Sequence, residues 1–459
     1  MIKFGTDGWR GKIGDAFTDA NLEVVAQATA DFLRDRNVGN GYVVLGYDNR
    51  FRSEEYADIV AEILSSNGFE VLLASKAVST PVVSFVTKRF KASLGICITA
   101  SHNPPTYNGY KIKENFGGSA LDKTIEDVKP YLFKSSPQKG DVSRITKVDL
   151  TLEYLENLRE KFDLVKIAGH FQTTPVHLNY MHGSSSGYVG AALRDNFIPT
   201  LEYNLNRDIL FGGVNPEPTP ANLKEFIRGV HSGLGFAFDG DGDRLCAVTQ
   251  DKEFVSSSQL MSVMLPRLMK RHSANRGVFS VSCSDLVVKQ AAAKGLDVER
   301  TKIGFKYIAD EMIKDNSVLI GGEESGGIGF AGYMPERDGI ASCLMVLEAL
   351  AYANTTLSDV LDDLDEEFGP HIQRRLDLQI TNSSLTSKKL ETLAQDPSVS
   401  RLKTNKVETL DGVKLYLEDG SWIMFRQSGT EPVVRIYAES RSEAQTQSLI
   451  QTGKLYLLG

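Results

Sequence analysis

The sequence predicts an α/β protein, with three similar α/β domains followed by a smaller C-terminal α+β domain. At 459 residues the chain is too long for one core and suits three or four domains at roughly 100–200 residues each. A strand–helix–strand rhythm starts near residue 41 and restarts twice. In each pass an apolar strand runs into a polar loop containing glycine: "LGICITASHNP" from Leu94, "LGFAFDGDGDR" from Leu234 and "VLIGGEESGG" from Val318. Loops of this kind sit at strand C-termini, where open α/β sheets bind ligands.

In chain order, "GYVVLGYD" reads as a strand. The stretch "SEEYADIVAEILSSNG" reads as an amphipathic helix, opened by a Ser/Glu cap signal and closed by Gly68. "FEVLLAS" is the next strand, and this β-α-β order favours a predominantly parallel sheet covered by helices. The rhythm restarts at Pro175 and at Gly277. "KSSPQKGDVSRI" reads as a linker before the amphipathic helix "LTLEYLENLREKF", and "TQDKEFVSSSQ" as a turn and helix start. Beyond "EEFGPHIQRRLDLQI" the rhythm weakens. There the strands "SWIMF" and "VVRIYAE" flank "RQSGTEP", with a helix to follow. The expected domains are 1–145, 146–252, 253–368 and 369–459.

Composition narrows the partners. With 24% charged and 41% hydrophobic residues the chain is an ordinary globular protein, and a net charge of -8 argues against nucleic acid or an anionic membrane. The N-terminus has no apolar signal core and no run approaches 18 apolar residues, so a cytoplasmic protein is expected. Cys97, Cys246, Cys283 and Cys343 lie far apart without ligand spacing and read as buried thiols.

The loops carry chemistry. Asp239, Asp241 and Asp243 alternate with glycines, and three hard oxygen donors converging on one point suit a divalent cation such as Mg²⁺. Arg244 and Gln250 stand where an EF-hand needs Gly and Glu, so a calcium loop fails. In "RQSGTEPVVR", Arg426, Ser428, Gly429, Thr430 and Arg435 can cradle a phosphate through two guanidinium groups, two hydroxyls and freed amides. Glu323, Glu324 and Ser325 in "GGEESGG" can bind vicinal sugar hydroxyls, ligate a metal or simply face solvent. In "TASHNP", His102 adjoins Ser101; neighbours in an extended chain point to opposite sides, and no G-x-S-x-G elbow is present, so a hydrolase triad is poorly supported. With a cation loop and a phosphate loop elsewhere, Ser101 is better read as a carrier of a phosphoryl group. Lys111 is an acid–base candidate if the site lowers its pKa.

Together with the N-terminal "FGTDGWRG", these four loops resemble, in order and over essentially the whole length, those of the α-D-phosphohexomutases, the phosphoglucomutase/phosphomannomutase superfamily. The resemblance implies four domains around one central cleft, the last a mobile lid. It implies Ser101 as the phosphorylated serine and a metal ligand, with Asp239, Asp241 and Asp243 completing the Mg²⁺ site. Glu323 and Ser325 would contact sugar hydroxyls, and Arg426, Ser428, Gly429, Thr430 and Arg435 would grip the non-reacting phosphate. Arg10, His102, Lys111 and Arg244 match supporting positions. The implied reaction interconverts hexose 1-phosphate and hexose 6-phosphate through a phosphoserine and a hexose 1,6-bisphosphate, which also serves as activator. Small sugar phosphates are the implied partners, and the chain is expected to be a monomer or homodimer.

Branch markers diverge. Gly327 stands where the dual-specificity and glucosamine branches carry His. "KIGFKYI", with Lys306 after Phe305, is closer to the glucomutase branch, a likeness that implies a contact of Lys306 with substrate phosphate; "GTDG" with Asp7 is closer to the glucosamine branch. Glucose phosphates are the favoured substrates, with mannose or glucosamine phosphates as alternatives. The same machinery becomes a glucose-1,6-bisphosphate synthase if the intermediate leaves, or a metal-dependent phosphatase if water takes the phosphoryl group.

Overall fold

The structure is a computed structural model that describes residues 2–5, 7–36, 41–380, 383–397, 403–428 and 433–458. Its strands form four sheets, one per domain. The first contains β1 (Phe4–Gly5), β2 (Gly8–Lys12), β3 (Tyr42–Tyr47), β4 (Glu70–Ala74), β5 (Leu94–Ile98), β6 (Tyr107–Glu114) and β7 (Ile145–Val148), in the order β1-β2-β6-β5-β3-β4-β7. The second contains β8 (Val176–Asn179), β9 (Thr200–Tyr203), β10 (Leu234–Phe238), β11 (Leu245–Val248) and β12 (Phe254–Val255), ordered β12-β11-β10-β8-β9. The third contains β13 (Arg276–Ser280), β14 (Asp297–Thr301), β15 (Val318–Gly322) and β16 (Ile328–Phe330), ordered β14-β13-β15-β16.

These three sheets share one device. A buried apolar strand leaves the parallel part of the sheet, passes through a signature loop and returns as an antiparallel neighbour: β5 to β6, β10 to β11, and β15 to β16. All five residues of β5, of β10 and of β15 are buried, which makes each strand a rigid mount for its loop. The sheets are therefore mixed, where the β-α-β rhythm predicts mostly parallel pairing. Two of the returning strands, β11 and β16, are only four and three residues long, and β6 is broken up by polar residues, which hides the hairpin in the sequence.

The fourth sheet is antiparallel throughout: β17 (Ile372–Gln379), β18 (Thr404–Glu408), β19 (Val413–Leu417), β20 (Trp422–Gln427) and β21 (Val433–Ser440), ordered β17-β21-β20-β19-β18. Helices Ser383–Gln395 and Glu443–Leu458 complete this domain, which has its own apolar cluster around Leu393, Leu415, Phe425 and Ile436. Val281 of the third domain joins Trp422, Met424 and Tyr437 of the fourth in a shared cluster. One continuous core runs through the first three domains.

Two local expectations change. The helix Ser53–Ser66 is not capped by Ser53: Arg52 is its N-cap at φ 59°, with no side-chain cap bond. The Ser53 hydroxyl instead donates to Asp48 Oδ1 at 2.7 Å. The "KSSPQKGDVSRI" stretch leads not straight into a helix but into β7, which pairs with β4. All four cysteines are buried and free. Among the described residues no single helix is long and apolar enough to cross a membrane.

Candidate active site

The three loops meet above the ends of β5, β10 and β15. Ser101 is fully buried at a left-handed φ of 53°, a conformation that costs a residue with a side chain about 1–2 kcal/mol. Its Oγ donates to Asp239 Oδ2 at 2.7 Å and lies 3.3 Å from His102 Nδ1. His102 is half-buried, and burial together with Arg244 and Arg10 holds its imidazole well below the usual range. The expectation that Ser101 and His102 point to opposite sides does not hold: Ser101 is left-handed rather than extended, and its Oγ comes within hydrogen-bond distance of Nδ1.

Asp239, Asp241 and Asp243 are all fully buried, with ligand oxygens within 4.8 Å of one another. Asp239 Oδ1 accepts from the Arg244 amide at 3.1 Å. Asp241 Oδ2 accepts from Thr80 Oγ1 at 2.5 Å and from Lys111 Nζ at 2.6 Å. Asp241 Oδ1 and Asp243 Oδ1 are buried without a hydrogen-bond partner, an expensive state for a carboxylate oxygen. Burial, with Asp241 and Asp243 alongside, pushes the Asp239 carboxyl well above the usual range. Against burial, Lys111 holds Asp241 low, and Arg337 does the same for Asp243. Three hard oxygens, two of them orphaned, fit a divalent cation and could hold one.

Lys111 lies on β6, fully buried, with Nζ at 2.6, 2.9 and 3.1 Å from Asp241, Asp243 and Asp7. Burial alone would lower its pKa, but Asp241, Asp243 and Asp7 outweigh it and raise the ammonium above its usual value. The lowering that an acid–base role would favour is therefore not found, because the carboxylate cluster faces the ammonium directly. Arg10 Nη1 donates to Asn103 Oδ1 at 2.7 Å and so braces the serine loop.

On the third loop Glu323 is buried. Its Oε1 accepts from the Gly304 amide at 2.8 Å, and Oε2 lies 3.3 Å from Arg337 Nη1. Burial raises its carboxyl against the pull of Arg337. Ser325 is half-buried at the loop tip. Lys306, two residues beyond Gly304, is ion-paired with Asp122 of the first domain.

In the fourth domain Arg426 and Arg435 face one another across β20 and β21, and Arg435 faces Asp377 on β17. Like charges opposite one another oppose pairing, and here acids offset them: Arg426 Nε donates to Asp411 Oδ2 at 2.9 Å, and Arg435 Nε lies 3.6 Å from Asp377 Oδ2. The Ser428 amide donates to the Val433 carbonyl at 2.8 Å across the loop. Gly429 and Thr430 lie outside the described residues.

Several connecting residues escape sequence reasoning. Arg337, in "MPERDG", is buried with Nη2 2.8 Å from Asp7, Nε 2.9 Å from Asp243 and Nη1 3.3 Å from Glu323; it joins one carboxylate from each of the first three domains. Glu217 Oε1 lies 3.9 Å from Arg244 Nη1 and 3.5 Å from Arg375 Nη1, which links the second domain to the fourth. Arg50 grips the serine loop from below. None sits in a glycine loop at a strand end, the signal that marks the others.

Family models described as phosphoglucomutase/phosphomannomutase alpha/beta/alpha domains I, II and III match residues 1–139, 152–252 and 256–368, and the C-terminal domain model matches 381–452. A "Phosphoglucomutase/phosphomannomutase" of Thermococcus kodakarensis is 28% identical, over 98% of this chain and 97% of its own. A Methanothermobacter thermautotrophicus protein named as a probable phosphoglucosamine mutase is 31% identical, over 99% and 97%. A solved Thermus thermophilus structure described as a phosphomannomutase superposes with a TM-score of 0.88 at 31% identity, covering 100% of this chain and 99% of the other. The Paramecium phosphoglucomutase parafusin, in its open form, gives 0.83 at 21% identity, covering 100% and 95%. The chain belongs to the phosphoglucomutase/phosphomannomutase family of α-D-phosphohexomutases, enzymes that move a phosphoryl group within a sugar phosphate.

Proposed function

We propose that this enzyme interconverts hexose 1-phosphate and hexose 6-phosphate, glucose phosphates being favoured, through a phosphoserine at Ser101. The observation that carries the reading is the buried Ser101 hydroxyl 2.7 Å from Asp239, beside two orphaned carboxylate oxygens. A divalent cation such as Mg²⁺, bound by Asp239, Asp241 and Asp243 with Ser101, would offset phosphoryl charge. Proteins of this superfamily have been crystallised with magnesium and with glucose 1,6-bisphosphate, which supports the same ligands here.

In the forward half-reaction the free sugar hydroxyl attacks the phosphorus of phosphoserine. The P–Oγ bond breaks as the P–O(sugar) bond forms, and the hydroxyl proton ends on Ser101 Oγ, with Lys111 as the acid–base candidate. Lys111 enters as the ammonium and delivers a proton to Oγ; the attacking hydroxyl restores it. Arg10, His102 and Arg244 line the reacting end, while Glu323 and Ser325 orient sugar hydroxyls. Arg426, Ser428, Gly429, Thr430 and Arg435, with Lys306, hold the phosphate that does not react. The bound 1,6-bisphosphate then turns end for end and returns its other phosphoryl group to Ser101. Positioning and charge compensation do most of this work.

The glucose preference rests on Lys306 following Gly304 and Phe305. The mannose and glucosamine names of the relatives favour the alternative sugars. Assaying glucose, mannose and glucosamine phosphates with and without a hexose 1,6-bisphosphate tests both points. A glucose preference with activation by bisphosphate supports the reading, and a mannose or glucosamine preference overturns the sugar. Free glucose 1,6-bisphosphate accumulating from glucose 1-phosphate and fructose 1,6-bisphosphate would make the enzyme a bisphosphate synthase instead.

A further inference from the structure

We propose that Arg50 is a positioning residue for phosphoryl transfer at Ser101; this rests on the mutase reading above. Its guanidinium holds the left-handed backbone that turns Oγ toward the metal loop. Arg50 follows β3 and is fully buried. Its Nη2 donates to the carbonyls of Ser101 at 2.5 Å and Asn103 at 2.7 Å, and its Nη1 to those of Pro104 at 2.8 Å and Tyr107 at 3.1 Å. Its Nε pairs with Asp48 Oδ2 at 3.1 Å.

Asp48 closes the ring. Its Oδ2 accepts from Thr99 Oγ1 at 2.6 Å, and Thr99 Oγ1 accepts from the Ser101 amide at 2.9 Å. The peptide on each side of Ser101 is thereby held, the amide through Thr99 and the carbonyl through Arg50. From the second domain, Arg207 donates to the carbonyls of Asn49 and Arg50, and Phe211 places its ring 5.0 Å from the guanidinium carbon. A simple core ion pair would need Asp48 alone. Four carbonyls converging on one planar fork are a fixture for the loop between Ser101 and Tyr107. The guanidinium bonds the carbonyl of Ser101 rather than Oγ, so it acts through the backbone.

The test compares wild type with Arg50→Lys and Arg50→Ala. The readouts are thermal unfolding, kcat and KM for glucose 1-phosphate, and the rate at which Ser101 takes labelled phosphate from glucose 1,6-bisphosphate. Lysine keeps the charge, but one ammonium cannot span four carbonyls. A displacement of about 1 Å in a reacting atom costs on the order of 100-fold, so Arg50→Lys should lose that much in kcat and in labelling rate while KM stays within about threefold. Guanidinium added below denaturing concentration should restore Arg50→Ala by at least ~10-fold, and methylammonium should not.

Arg50→Lys with kcat and labelling within about threefold of wild type overturns the proposal. So does a loss in which kcat follows the unfolded fraction alone. If neither Arg50 variant folds, Thr99→Val decides, because it keeps the shape and removes the acceptor of the Ser101 amide: slower labelling supports the proposal, and unchanged labelling overturns it. If wild-type Ser101 takes no label at all, the mutase reading itself falls, an outcome distinct from a labelled wild type with an equally fast Arg50→Lys.

Discussion

Replacing Arg337 with Met should cost the protein roughly 3–5 kcal/mol, the usual penalty for removing one partner of a buried ion network. The guanidinium lies 2.8 Å from Asp7, 2.9 Å from Asp243 and 3.3 Å from Glu323, and all four side chains are at least nine-tenths buried. At an effective dielectric of about 20 each pair is worth ~5–6 kcal/mol of attraction before desolvation, which opposes most of it. Methionine leaves three carboxylates facing one another, with Lys111 their nearest remaining cation on the Asp7 and Asp243 side. At about 2–4 °C per kcal/mol, the melting temperature should fall by roughly 6–20 °C. Added Mg²⁺ should recover more of that loss than it adds to wild type, because Asp243 regains a cation. Differential scanning calorimetry with and without Mg²⁺ measures both effects. A melting temperature within about 2 °C of wild type would refute the hub assigned to Arg337.

Gly242→Ala should destabilise the loop of Asp239, Asp241 and Asp243 by about 1–2 kcal/mol from its left-handed φ of 72° alone, and further because the new Cβ would lie 2.7 Å from Ser185 Cβ; chemical denaturation reads the sum. His371 sits where the third domain passes into the fourth, with Nδ1 2.7 Å from the Gly369 carbonyl and Nε2 3.1 Å from Lys289 Nζ. Burial and Lys289 lower its pKa to about 4. A depressed pKa favours the neutral ring, so its contribution is present above pH ~6.5 and is lost as pH falls toward 4; partial exposure limits it to about 1–2 kcal/mol. His371→Gln should flatten stability over that window in urea titrations at stepped pH. Trp422→Phe removes the indole N–H that donates to buried Glu439 Oε1 at 3.0 Å and should cost about 1–3 kcal/mol, read by thermal unfolding.

The parts of the site legible in the sequence are those carried by contiguous loops. "TASHNP", "DGDGDR" and "GGEESGG" follow fully buried apolar strands, and Ser101, Asp239, Asp241, Asp243 and Glu323 all lie on them. The residues that join the loops were not legible, because their partners are distant in sequence: Arg337 meets Asp7 across 330 positions, and Arg50 meets Ser101 across 51. Arg375 in "QRRLD" carries no sequence signal for its pairing with Glu217 and Asp377. The fold shows the same limit. Two of the five strands of the last domain are read from the sequence; β17 and β18 are masked by charged residues, whereas β19, apolar and mostly buried, is legible by its alternation and was missed. The direction of the Lys111 shift is likewise hidden from the sequence, since burial and three carboxylates act in opposite senses and only distance decides between them.

The central claim is that Ser101 carries the phosphoryl group, and phosphopeptide mapping by mass spectrometry tests it most directly. The enzyme is incubated with glucose 1,6-bisphosphate and digested, before and after addition of glucose 1-phosphate. The expected result is one phosphoryl group on Ser101 that is discharged by the sugar phosphate, with no labelling and no turnover in Ser101→Ala. Turnover at the wild-type rate in Ser101→Ala, or a phosphoryl group carried stably on another residue, would contradict it.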